Sequence, residues 1–212
     1  MSGILDAAEG VALRVEPRWL AVWVLACIAV LTALGIARFG YKDALSAFNL
    51  DGERNVPSLF SGVLWTCVGV LAVLVGRALG ETAWYLLSGL FWLLAADEVL
   101  EFHERLENIT GVDWQILYAP LALAAAPLWV LVGIRLKRLG TGFVPFVVAT
   151  LLILVAQPLE ALQVNSAGDP QPGFRIYVVS EEVLEMLSAL LLGLALLAVL
   201  QAHRIGRAEC GS

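Results

Sequence analysis

The sequence predicts an all-α, polytopic membrane protein: one domain over residues 1–212, folded as a bundle of six transmembrane helices. Three observations predict this. Hydrophobic residues make up 60% of the chain and charged residues 15%, whereas soluble domains carry about 45–50% and about 25%. Six apolar runs reach the length of about 20 residues that crosses a hydrocarbon core. The polar–apolar alternation of a membrane β-barrel is absent, so helices must satisfy the backbone in lipid.

The runs follow in order. The first, Trp19–Ala37, comes after Arg14 and Arg18. Gly35-Ile36-Ala37 has the small-x-small pattern of a leader cleavage site, but the long preceding segment and the length of the run favour a retained span. Asn49-Leu50-Asp51-Gly52 and Asn55-Val56-Pro57 then supply turn chemistry for a long loop. Leu59–Gly76 and Ala83–Glu101 are the second and third spans, and Trp114–Ile134, with Pro120 and Pro127, is the fourth. Gly140-Thr141-Gly142 leads to the fifth, Phe143–Leu162, with Pro158 inside it. The sixth, Val178–Leu200, follows the turn-rich Gly168–Gly173 segment. Each internal proline removes a backbone donor, so kinks are expected there. Trp19, Trp84, Tyr85, Trp114 and Tyr118 sit near span ends and read as interfacial belt aromatics. Cys27, Cys67 and Cys210 form no metal-binding or disulfide pattern and read as small apolar filler.

Charge sets the orientation. The N-terminus, the second and fourth loops and the C-terminus hold eight Lys and Arg residues, including Arg135, Lys137 and Arg138, against five on the other side. By the positive-inside rule both termini are expected in the cytoplasm. Five of the 19 acids fall on the cytoplasmic side and the other fourteen on the opposite side or on helix ends pointing to it. With a net charge of −6 and no basic block, the chain is not expected to bind nucleic acid.

The acids enter the spans in three places: Asp97, Glu98, Glu101 and Glu104 at the end of the third, with His103 among them, Glu160 at the end of the fifth, and Glu181, Glu182 and Glu185 at the start of the sixth. All three stretches are expected at one membrane face. A charged group inside the membrane costs about 3 kcal/mol on insertion scales, so cation binding, protonation or exposure to water must compensate. At roughly 100° per residue, Glu98, Glu101, Glu104 and Arg105 share an arc with Asp97, while His103 lies roughly 240° away, above Trp92, Ala96 and Val99. In an ideal helix His103 and Asp97 therefore cannot share one mononuclear site, and a kink or a second ligand set on another helix is needed. Glu182-x-x-Glu185 has the i, i+3 spacing of carboxylate-bundle metal sites, but the Glu-x-x-His that completes such sites is missing.

Carboxylates with one imidazole and no thiolate suit Fe, Mn, Zn or Ca. The expected metal ligands are Asp97, Glu98, Glu101, His103, Glu104, Glu160, Glu182 and Glu185, with Glu160 and His103 as candidate catalytic groups; Asp51 and Glu53 of the first loop read first as turn chemistry, with lid ligation as the alternative.

Three segments carry a resemblance. Phe48-Asn49-Leu50-Asp51-Gly52-Glu53 through Pro57, Asp97-Glu98-x4-His103-Glu104 and Glu181-Glu182-x2-Glu185-Met186 resemble a group of bacterial multi-pass membrane proteins with no assigned function. The resemblance implies a recurring acidic membrane site and no particular activity. The expectation is a metal-dependent enzyme in the bacterial cytoplasmic membrane, its site facing the periplasm, acting on a membrane lipid or another hydrophobic substrate. The alternatives are a cation- or proton-handling transporter module and an accessory subunit docked to a partner membrane protein.

Overall fold

A computed structural model describes residues 2–41, 43–50, 52, 54–164 and 169–210, with the side chains of 2, 104 and 207–210 outside the described set. Eight helices occur among these residues: α1 (Ser2–Ala12), α2 (Pro17–Arg38), α3 (Val56–Leu79), α4 (Thr82–Leu100), α5 (Phe102–Thr110), α6 (Trp114–Leu139), α7 (Phe143–Ala161) and α8 (Phe174–Cys210). Six of them, α2, α3, α4, α6, α7 and α8, are long and apolar enough to cross a membrane. The chain is a multi-pass integral membrane protein. The expected spans stand, with ends shifted by a few residues. The short α1 and α5 lack a long apolar run.

Local chemistry sets the helix ends. Asn55 opens α3 with a reciprocal cap: Ser58 N–H donates to Asn55 Oδ1 at 3.1 Å, and Asn55 N–H donates to Ser58 Oγ at 3.0 Å. The Asn55 amide also donates to the Asn49 carbonyl at 2.6 Å and to the Gly52 carbonyl, which clamps the first loop. Leu50 is buried against Gly35 of α2, where a β-carbon would overlap it. Asp51 and Glu53, the turn residues with lid ligation as their alternative reading, lie outside the described residues. Gly80, Gly111 and Gly140 close α3, α5 and α6. Pro120 and Pro127 lie inside α6, which runs through both without a break in its helical assignment.

The helices form a ring. α3 packs between α4 and α8, α8 also packs on α7 and α2, and α6 bridges α4 to α7. α3 and α8 are the most enclosed spans, whereas α2, α6 and α7 turn most of their surface outward. Gly62, Gly69 and Gly76 recur every seven residues along α3 and let α4 approach closely. A β-carbon would meet Val99 at 2.8 Å from Gly62 and Tyr85 at 3.1 Å from Gly76, and from Gly69 would overlap the Trp92 indole. The partners are themselves seven residues apart, so the contact repeats with the 3.5-residue period of left-handed helix pairs. Across the middle of the ring an aromatic stack joins four helices. Trp65 and Phe91 are 5.8 Å apart, Phe91 and Trp129 6.1 Å, and Trp129 and Phe146 5.0 Å.

At one end of the bundle α1 is tied to α3 by Asp6 and Arg77 at 2.8 Å, and Gln201 of α8 donates to the Val15 carbonyl at 2.8 Å. Glu81, just before α4, pairs with Arg135 of α6 and accepts from the Trp84 indole at 2.9 Å. Trp84 is fully buried, which corrects its reading as a belt aromatic: a hydrogen-bonded indole in the core serves the helix pair, not the interface. Burial pushes the Glu81 carboxyl up, but the hydrogen bonds from Arg135 and Trp84 outweigh it and hold the group below its ordinary value of 4.5.

Candidate functional site

At the opposite end α4 stops, α5 turns off, α6 begins, α7 stops and α8 begins. The turn between α4 and α5 sets the geometry. Glu101 adopts the left-handed conformation at φ 57° and ψ 44°, and its N–H closes α4 on the Asp97 carbonyl at 2.9 Å. A non-glycine residue there costs on the order of 1 kcal/mol or more. Arg54, beside the Asn55 clamp, lies 3.0 Å from the Glu101 carboxylate, and Arg105 lies 3.9 Å away. Both cations hold the turn.

The turn brings His103 back to Asp97. The His103 backbone N–H donates to Asp97 Oδ1 at 3.0 Å, and its Nδ1 lies 3.0 Å from Oδ2. An ionised Asp97 places the imidazole proton on Nδ1. Tyr118 of α6 donates its hydroxyl to the same Oδ1 at 3.1 Å. Asp97 is buried, and in accepting from the first turn of α5 it also serves as a capping carboxylate. The kink that an ideal helix lacks is thus present.

Glu160, at the end of α7, accepts from the Trp114 indole at 2.8 Å and from the Gln115 amide at 3.5 Å. The Gln115 amide also donates to the Gln157 carbonyl at 3.1 Å. Trp114 stands between the two carboxylates: its ring is 5.3 Å from the His103 imidazole and 5.5 Å from Tyr118. Glu181 of α8 accepts from the Gln163 amide at 3.1 Å. Glu160 lies within electrostatic range of His103, and Glu181 within range of Glu185, Glu160 and Glu98. Groups on α4, α5, α7 and α8 are therefore within electrostatic reach of one another.

Of the expected ligands, Asp97 and His103 form a direct pair, Glu160 joins through α6, and Glu101 is engaged by two arginines. Glu98, Glu182 and Glu185 are partly buried and engaged with neighbours. The Glu104 side chain lies outside the described residues. Among the described residues no three His, Cys, Asp or Glu side chains are grouped closely enough to hold a metal ion.

Sequence reasoning missed Trp114 and Tyr118, which it assigned to the interfacial belt, and Gln115, Gln163 and Arg54. One available signal was the placement of Gln115 and Gln163 at span ends beside the acids. Another was the i, i+4 pairing of Trp114 with Tyr118 on one helix face.

A family model described as Domain of unknown function (DUF8692) matches residues 12–200. No curated protein and no solved structure matches the chain.

Proposed function

We propose that this chain, which belongs to the DUF8692 family, is a metal-dependent enzyme of the bacterial cytoplasmic membrane. In this reading its acidic end faces the non-cytoplasmic side, and its substrate is a lipid or another hydrophobic molecule. The observation that carries the reading is the Asp97–His103 pair. A carboxylate on Nδ1 fixes the tautomer and orients Nε2 toward a ligand, as carboxylates behind metal-ligating histidines do. A second feature supports a cation. The donors on Glu160 and Glu181 are the neutral side chains of Trp114, Gln115 and Gln163. Carboxylates brought together under neutral donors favour a divalent ion as the compensating charge.

His103, Glu182 and Glu185 would hold the ion by drawing together from their separation in this structure, with Asp97 behind the histidine, Glu98 and Glu104 close in sequence, and Glu160 as a further ligand or the general base. The donor set suits Fe, Mn, Zn or Ca. The ion would polarise the substrate or activate water, and Glu160 would take the proton. The aromatic stack at mid-bundle supports a one-sided site over a cation or proton path through the protein.

The test is elemental analysis of the detergent-purified chain. Near-stoichiometric metal is expected in the wild type. His103→Ala should lose it while keeping the wild-type elution profile, and Asp97→Asn should bind it about 10- to 100-fold more weakly. A wild-type protein that holds no metal after Fe, Mn, Zn and Ca are added back overturns the proposal.

A further inference from the structure

The end opposite the acidic site carries a cavity of about 460 Å³ between the start of α4 and the last turns of α6. We propose that this cavity seats the phosphate of an anionic phospholipid, with the acyl chains lying along the outer face of α6.

Its lining includes Glu81, Thr82, Trp84, Leu131, Arg135 and Arg138. The charges do not cancel. Glu81 is matched by Arg135, to which it is paired. Arg138 is exposed and makes no ion pair among the described residues, which leaves one positive charge over. Arg135 also keeps a buried Nε without a hydrogen-bond partner. The start of α4 has no side-chain cap on its first N–H groups, and an uncapped helix start attracts an anion. Thr82 adds a hydroxyl at the same rim.

The apolar side of the cavity selects the source of the phosphate. Leu131 of the lining is 54% exposed, and Ile134, one turn along α6 beside the cavity, is 46% exposed, on a span that turns most of its surface outward. A free phosphate would leave that surface unused, whereas acyl chains would cover it. Basic pockets between membrane helices favour anionic head groups for the same reason.

The experiment uses the full chain in detergent, titrated with short-chain phosphatidylglycerol, phosphatidylcholine of equal chain length, or inorganic phosphate, and followed by thermal shift. Phosphatidylglycerol should raise the apparent Tm more than phosphatidylcholine does. Arg138→Gln should weaken that response about five- to tenfold and leave the unliganded Tm unchanged. Lys137→Gln, its exposed neighbour over the Phe143 ring, should leave the response intact. Equal responses to the two lipids would overturn the proposal, as would equal weakening by both variants. Saturation by inorganic phosphate at the same concentration would also overturn it, making the site one for free anions.

Discussion

Glu101 shows what a single residue decides. Nothing in Leu100-Glu101-Phe102 carries a turn signature, so a regular helix was the natural expectation, with His103 on the apolar side of Asp97. The left-handed turn at Glu101 reverses that placement, and the arginines holding it come from the first loop and from α5. The pairing of Asp97 with His103 depends on this tertiary arrangement and was not legible in local spacing. The residue types were legible: carboxylates and one histidine at span ends. Their neutral partners were not, because Trp, Tyr and Gln at such positions serve interface and packing equally well. Glu81 gives a prediction at the same scale. Its folded-state pKa lies below the ordinary 4.5, so the Arg135 pair stabilises the fold fully above the unfolded value. That contribution fades as pH falls through the folded one. The pair is partly solvated, and its worth is less than about 1 kcal/mol. Glu81→Gln should lower the apparent Tm slightly at pH 7, and the gap from wild type should close in melts below pH 4.5.

Among the helices, the α3–α4 pair rests on a pattern present in the sequence and easy to overlook. Gly62, Gly69 and Gly76 are seven apart, as are Tyr85, Trp92 and Val99. Apolar content reveals the spans, but not which face meets which neighbour, because lipid and protein interior are equally apolar. The glycine register supplies that missing information for one pair. A large residue in the stripe must displace the group opposite, which at Gly69 is the Trp92 indole. Gly69→Ile should destabilise the bundle by about 1–3 kcal/mol, read as a lower apparent Tm in detergent, while Gly89→Ile, with nothing near its β-carbon, should be tolerated.

For the whole molecule, six membrane-crossing helices follow from composition and run length alone and were legible in the sequence. Their order around the ring, α4–α3–α8–α7–α6 with α2 outside on α8, was not, because it depends on which helix faces interlock. That order brings the ends of α4, α7 and α8 to the start of α6 and leaves the two ends of the bundle with different chemistry. The Trp65–Phe91–Trp129–Phe146 stack lies between them. Electrically, the proposed one-sided site makes this stack an insulating layer between the two ends. A membrane potential does about 2.3 kcal/mol of work per 100 mV on a unit charge that crosses it, and on the proposed one-sided reading no charge crosses. Proteoliposomes containing the protein should hold an imposed potassium-diffusion potential as long as empty vesicles do. Events at the acidic end should then run at the same rate in energised and de-energised membranes.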